Sequence, residues 1–203
     1  MERTPLSYLA LGDSYSIGEG VPEAGRWPVQ LAVRLRREGV ALDDPTIIAT
    51  TGWTTDELSA AMDATTFAPP YDLVSLLIGV NNQYRGRSAD DYRDEFRHML
   101  DRAITLAGGR PERVLVLSIP DWGVTPFAHG SGRDVLRIAG ELDVYNAIAS
   151  EETEHSGGHF VDITGISRQH PALLADDGLH PSAAQYALWT EAAVPTALAM
   201  LGG

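Results

Sequence analysis

A serine, a histidine and an aspartate brought within reach of one another can transfer an acyl group, and Ser14, His180 and Asp177 have the residue types and the setting for it. A serine hydroxyl is a poor nucleophile until a base takes its proton, and an imidazole base needs a carboxylate on its other nitrogen to fix its tautomer. Ser14 lies in Gly12-Asp13-Ser14-Tyr15-Ser16, and Asp177 precedes His180 by three residues in Asp177-Gly178-Leu179-His180-Pro181-Ser182. One turn can hold a carboxylate so spaced against the ring. Asp176 is the alternative partner and Ser16 the rival nucleophile, farther from the strand end. Acyl transfer also builds negative charge on the substrate oxygen, which needs donors aimed at it. The Ser14 amide, the Gly52 amide of Thr51-Gly52-Trp53 and the Asn81 side chain of Gly79-Val80-Asn81-Asn82 supply three.

Singly, each piece has a plainer reading. Gly12-Asp13-Ser14 reads as a strand-to-helix turn, Gly52 as a turn glycine, and Asn81 with Asn82 as side chains bonding their own backbone. His180 before Pro181 reads as a helix start. What carries the inference is their conjunction, in order, at the ends of successive strands.

Those strands are short apolar runs, Tyr8 to Leu11, Thr46 to Ala49, Leu73 to Ile78, Val114 to Leu117 and Phe160 to Ile163. Between and after them, Pro28 to Glu38, Thr55 to Ala64, Ala89 to Leu106, Asp134 to Glu152 and Ser182 to Leu201 carry apolar residues at three and four spacing, the mark of amphipathic helices. Thr54 and Glu57 have capping-box spacing, Ser88 can cap the third helix, Gly39 and Gly108 lie where helices should stop, and Pro195 bends or ends the last. Strict alternation predicts an α/β fold, a three-layer doubly wound sandwich on a five-stranded parallel sheet. Two connections, Ile119 to Arg133 and Thr164 to Gly178, are longer than linkage requires and leave the carboxyl edge of the sheet, where such folds bind ligands.

Composition narrows the classes. The 203 residues, 44% hydrophobic, suit one domain spanning 1–203, with no repeat and no linker. With no cysteine there is no disulfide, thiolate metal site or cysteine nucleophile. A formal charge of -13 disfavours nucleic acid and anionic lipid surfaces as partners. No run approaches the roughly 18 apolar residues of a membrane span, so no stable membrane insertion is expected. The start, MERTPLSYLALGDS, lacks the pattern of a leader, and a cytoplasmic location is the expectation. The acidic pairs Asp43/Asp44, Asp90/Asp91 and Glu151/Glu152 read as solvated turns and helix surfaces. His155 and His159 have metal-pair spacing, but Gly157 and Gly158 between them argue against the helix that would align them. No metal and no other cofactor is expected.

The strand-end GDS, the glycine after the second strand, the GxN after the third and the DxxH near the carboxyl end resemble the four blocks of the SGNH, or GDSL, hydrolase family. They run in the family's order from Gly12 to His180. The resemblance implies a flavodoxin-like α/β/α fold and metal-free esterase, lipase, lysophospholipase, thioesterase or carbohydrate deacetylase activity. It implies Ser14, Gly52, Asn81 and His180 as signature residues, with Asp177 completing the triad. One position departs from the pattern: the family often has GxND, and here Asn82 replaces the aspartate. The α/β-hydrolase signature G-x-S-x-G is absent, because position 16 is Ser16.

The expected activity is therefore hydrolysis of a small-molecule carboxylic ester through an acyl-serine intermediate. Trp53, Tyr84, Trp122 and Phe127 could wall its pocket or merely pack the loops, and His129 and His170 lie in the two long connections. Two other readings stand beside it. An acyltransferase would pass the same acyl group to an alcohol. A non-catalytic flavodoxin-like binding protein would cradle a phosphate in Gly12 to Gly20, though neither G-x-G-x-x-G nor a P-loop is present. Oligomeric state is not written in the sequence.

Overall fold

The computed structural model describes residues 4–202. The first residues of the Met1 to Ser14 segment, on which the leader reading rests, lie outside that range. Five parallel strands, β1 (Tyr8–Gly12), β2 (Thr46–Ala49), β3 (Leu73–Leu77), β4 (Val114–Leu117) and β5 (His159–Val161), form one sheet in the order β2-β1-β3-β4-β5. Parallel neighbours require crossover connections, and helices supply them on both faces. β1, β3 and β4 are buried at every residue, whereas β2 and β5, at the edges, are partly exposed. That burial explains why the inner strands are apolar runs rather than alternating ones. Ser75, the polar residue inside β3, meets the Tyr8 hydroxyl at 3.0 Å.

The helices are α1 (Ser14–Ile17), α2 (Trp27–Arg37), α3 (Thr55–Asp63), α4 (Val80–Tyr84), α5 (Ala89–Leu106), α6 (Pro126–Gly130), α7 (Val135–Ser156), α8 (Thr164–Gln169) and α9 (Ala183–Leu201). α2 packs on α9 to cover one face, while α3, α5 and α7 lie side by side on the other. Arg93 and Arg97 of α5 bind Glu152 of α7. Glu152 is 7% exposed and so belongs to an interhelical contact, not to the solvated pair that its sequence position suggests. Tyr92 of α5 stacks on Tyr145 of α7 with ring centroids 4.1 Å apart.

Local chemistry sets the ends. The Ser88 hydroxyl accepts from the Asp91 amide at 3.1 Å, and Glu57 reaches back to the Thr54 amide at 2.9 Å. α9 continues through Pro195 to Leu201, so that proline does not end it. Both long connections contain short helices, α6 and a 3₁₀ turn at Trp122–Val124 in the first and α8 at the start of the second. Gly12 to Gly20 is likewise no open cradle: it contains α1, closed by Gly18 in the left-handed region. Among the described residues, no helix is long and apolar enough to cross a membrane.

Candidate active site

In this strand order the connections leave β1 and β3 in opposite directions, so a crevice opens between their carboxyl ends. β1 delivers Ser14 there as the first residue of α1. Asp13 caps that helix, its Oδ1 accepting from the Tyr15 amide at 3.0 Å. Ser14 is 4% exposed and faces the crevice. The hydroxyl of Ser16 is wholly enclosed, without a partner among the described residues, and away from the crevice.

β3 delivers Asn81. Gly79 precedes it with φ +130, and a Cβ there would lie 2.5 Å from the Tyr92 ring, so only glycine lets the chain turn into α4 at this point. One N–H of the Asn81 amide donates to the Trp53 carbonyl at 2.9 Å, which leaves the other for the crevice. Gly52 follows β2 with φ +89. Nothing lies within 4 Å of where its Cβ would be, so backbone conformation rather than space selects glycine there. Its carbonyl accepts from Arg85 at 2.7 Å. The backbone N–H groups of Ser14 and Gly52 have no acceptor among the described residues.

His180 comes from the turn before α9. The Asp177 Oδ1 accepts from the Leu179 and His180 amides, each at 2.9 Å, while its Oδ2 lies 2.5 Å from the His180 Nδ1. One carboxylate thus closes the turn and orients the ring. Partial burial works to raise the Asp177 pKa, but the bonds from the His180 ring and the two amides outweigh it and hold the carboxyl below its ordinary value. Asp176 is exposed, and the carboxylate bonded to the ring is that of Asp177. The turn is fixed from outside by the Ala175 amide, which donates to the His180 carbonyl at 2.7 Å, and by the Phe127 amide, which donates to the Gly178 carbonyl at 3.2 Å.

Together these elements line a half-open cavity of about 160 Å³. Ser14, Thr51, Gly52, Asn81 and His180 give it polar groups; Val80, Tyr84, Trp122, Phe127 and Leu179 give it apolar walls, with Tyr15 behind. Trp122 is held by its ring N–H, which donates to Gln83 at 2.9 Å, and Arg133 lies 4.0 Å above the Tyr84 ring. Of the four aromatics singled out in the sequence, Trp53 does not line this cavity: its side chain packs against the core and only its carbonyl serves the site. His129 and His170 also lie outside it; the His129 ring bonds the Thr125 carbonyl at 2.8 Å. Sequence reasoning does not single out Tyr15, Thr51, Val80 and Leu179, although each adjoins a motif residue, and that adjacency is the signal available.

Asp13, directly before Ser14, is fully buried, and its Oδ2 has no partner among the described residues. Burial raises its pKa to about 7 against the bonds from the Tyr15 amide and its own.

No curated protein sequence matches the chain. Among solved structures, TesA superposes with a TM-score of 0.73 at 20% identity, covering 96% of this chain and 99% of its own. A variant of the acetyl xylan esterase Axe2 of Geobacillus stearothermophilus gives 0.73 at 19%, covering 95% and 96%. The psychrotrophic esterase EstA of Pseudoalteromonas sp., in a structure inhibited by monoethylphosphonate, gives 0.72 at 16%, covering 97% and 99%. At these identities the likeness establishes the α/β/α fold. Family assignment comes from the sequence itself, since residues 10–188 match the model of the GDSL-like lipase/acylhydrolase family. The chain belongs to that family, whose chemistry is ester hydrolysis by a serine nucleophile.

Proposed function

We propose that the chain is a single-domain serine esterase in which Ser14 is the nucleophile, His180 the general base and Asp177 its orienting carboxylate. The observation that carries this reading is the 2.5 Å contact between Asp177 Oδ2 and His180 Nδ1 at the wall of the cavity that Ser14 also lines. With Nδ1 engaged, Nε2 is the nitrogen that can accept the Ser14 proton. The Ser14 Oγ attacks the ester carbonyl, and the oxyanion is met by the Ser14 and Gly52 amides and the free N–H of Asn81. Collapse expels the alcohol, which takes the proton from His180 and leaves an acyl-serine. Water, deprotonated by the same ring, then releases the acid and restores Ser14.

The substrate is a small ester. A cavity of about 160 Å³ is well below the several hundred Å³ of an ordinary ligand pocket, and its walls are apolar, so it suits a short acyl group. A panel of p-nitrophenyl esters from acetate to decanoate tests both points. Turnover should be greatest for the shortest chains and absent in Ser14→Ala. A maximum at long chains would reject the substrate, and turnover surviving in Ser14→Ala would reject the mechanism.

A further inference from the structure

Asn82, the position at which the chain departs from GxND, is fully buried, and each of its polar atoms is satisfied. Its Oδ1 accepts from the Thr55 amide at 3.1 Å. Its Nδ2 donates to the Thr55 hydroxyl at 2.7 Å and to Glu95 Oε2 at 2.8 Å. The Thr55 hydroxyl donates to the same Glu95 oxygen. Glu95 is held in turn by Arg87, whose Nη1 lies 3.1 Å and 3.0 Å from its two oxygens. An acidic residue on the surface of α5 thereby becomes the acceptor at the centre of a closed network.

That network joins the start of α3 to α4. Thr55 begins α3, just past Gly52, and Asn82 adjoins Asn81. Bonds from Arg85 to the Gly52 carbonyl and from Asn81 to the Trp53 carbonyl run between the same two segments. The spacing between the Gly52 amide and the Asn81 side chain is therefore set by contacts behind the cavity. Donors for a developing oxyanion act only when held in place before the charge appears.

We propose that Glu95 is a positioning residue of the oxyanion hole, acting through Asn82 and Thr55 to fix Gly52 against Asn81. The inference rests on the serine-esterase reading and deepens it. It also explains Asn82: with Glu95 as acceptor, residue 82 must donate. Aspartate there would set two carboxylates about 2.8 Å apart, each repelling the other's charge.

The test is an exchange of polarity, with kcat and KM for p-nitrophenyl acetate and thermal midpoints measured for Asn82→Asp, Glu95→Gln and the double variant. Each single change should lower kcat by about tenfold or more with little change in KM, as expected when a transition-state contact is misplaced. In the double variant the carboxylate at position 82 would accept from the new side-chain amide at position 95 and from the Thr55 hydroxyl. Its kcat should return to within about threefold of wild type, a non-additive rescue that independent sites do not give. Wild-type kcat in either single variant, or a double variant no better than the singles, would overturn the proposal. Should Asn82→Asp fail to fold, Glu95→Gln and Thr55→Val carry the test, and an undiminished kcat in either would overturn it. Ser14→Ala run alongside separates the two levels: its loss of turnover together with an undiminished Glu95→Gln removes this inference and leaves the esterase reading standing.

Discussion

The side-chain amide of Asn81 donates to the carbonyl of Trp53 at 2.9 Å, so the residue that offers one N–H to the cavity uses the other to hold itself still. In the proposed oxyanion hole, a donor so tethered would need little reorganisation as charge develops on the substrate. Asn81→Ala should lower kcat by about 10²- to 10³-fold with a small effect on KM. Steady-state kinetics on a short ester checks this, and normal turnover would exclude Asn81 from the oxyanion hole.

Ser14 and Ser16 make a paired test, since one faces the cavity and the other is sealed behind it. Ser14→Ala should abolish turnover with the thermal midpoint nearly unchanged. Ser16→Ala removes a buried hydroxyl that has no partner, so it should retain activity and gain slightly in stability. The reverse pattern would identify Ser16 as the nucleophile.

Asp177 carries two duties, closing the turn with Oδ1 and aligning the ring with Oδ2. Asp177→Asn keeps an acceptor for the amides but removes the charge from the ring, and should cost kcat up to about 10⁴-fold. Because the folded-state pKa of Asp177 is lowered, its contribution to stability is present above the unfolded-state value and lost as pH falls through the folded one. Urea unfolding on the acid side should therefore show a shallower loss of stability in Asp177→Asn than in wild type.

Asp13 works in the opposite sense. With a folded-state pKa of about 7 against an ordinary 3.8, the native state binds more protons than the unfolded one between those values. Stability consequently falls as pH rises through that window, by an amount on the order of 4 kcal/mol if the shift is fully expressed. Asp13→Asn keeps the acceptor for the Tyr15 amide and cannot ionise, so its advantage over wild type should grow from pH 5 to pH 8. Equal pH dependence of the two proteins in urea unfolding would refute the assignment.

Much of this architecture is legible in the chain because its signals are long or strongly placed. The five strands are apolar runs bounded by polar turns, and β2 and β4 fall where the sequence puts them. The helices that escape a reading of the sequence are the short ones, α1, α4, α6 and α8; at four to six residues they span less than two turns, too little for a 3.6-residue period to register. Ser14, Gly52, Asn81 and His180 stand out because strand ends gather on one edge. Trp53 resembles a wall residue in the sequence because the direction of a loop side chain is set by packing, which spacing does not encode. Glu95 is invisible for a related reason: on a helix crowded with Asp and Arg it looks like any solvated charge, and only the approach of α4 and Thr55 gives it a buried partner.

The cavity is assembled from the ends of β1, β2 and β3, from the connection after β4 and from a turn that precedes the last helix, so no contiguous stretch of chain holds Ser14 together with His180. The site has a high contact order, and its parts meet only when the sheet is paired and α9 lies against α2. Catalytic turnover therefore behaves as a reporter of global structure. In a denaturant series, ester hydrolysis should vanish along the same curve as the far-ultraviolet signal of the sheet and helices, with no active fragment outlasting the fold.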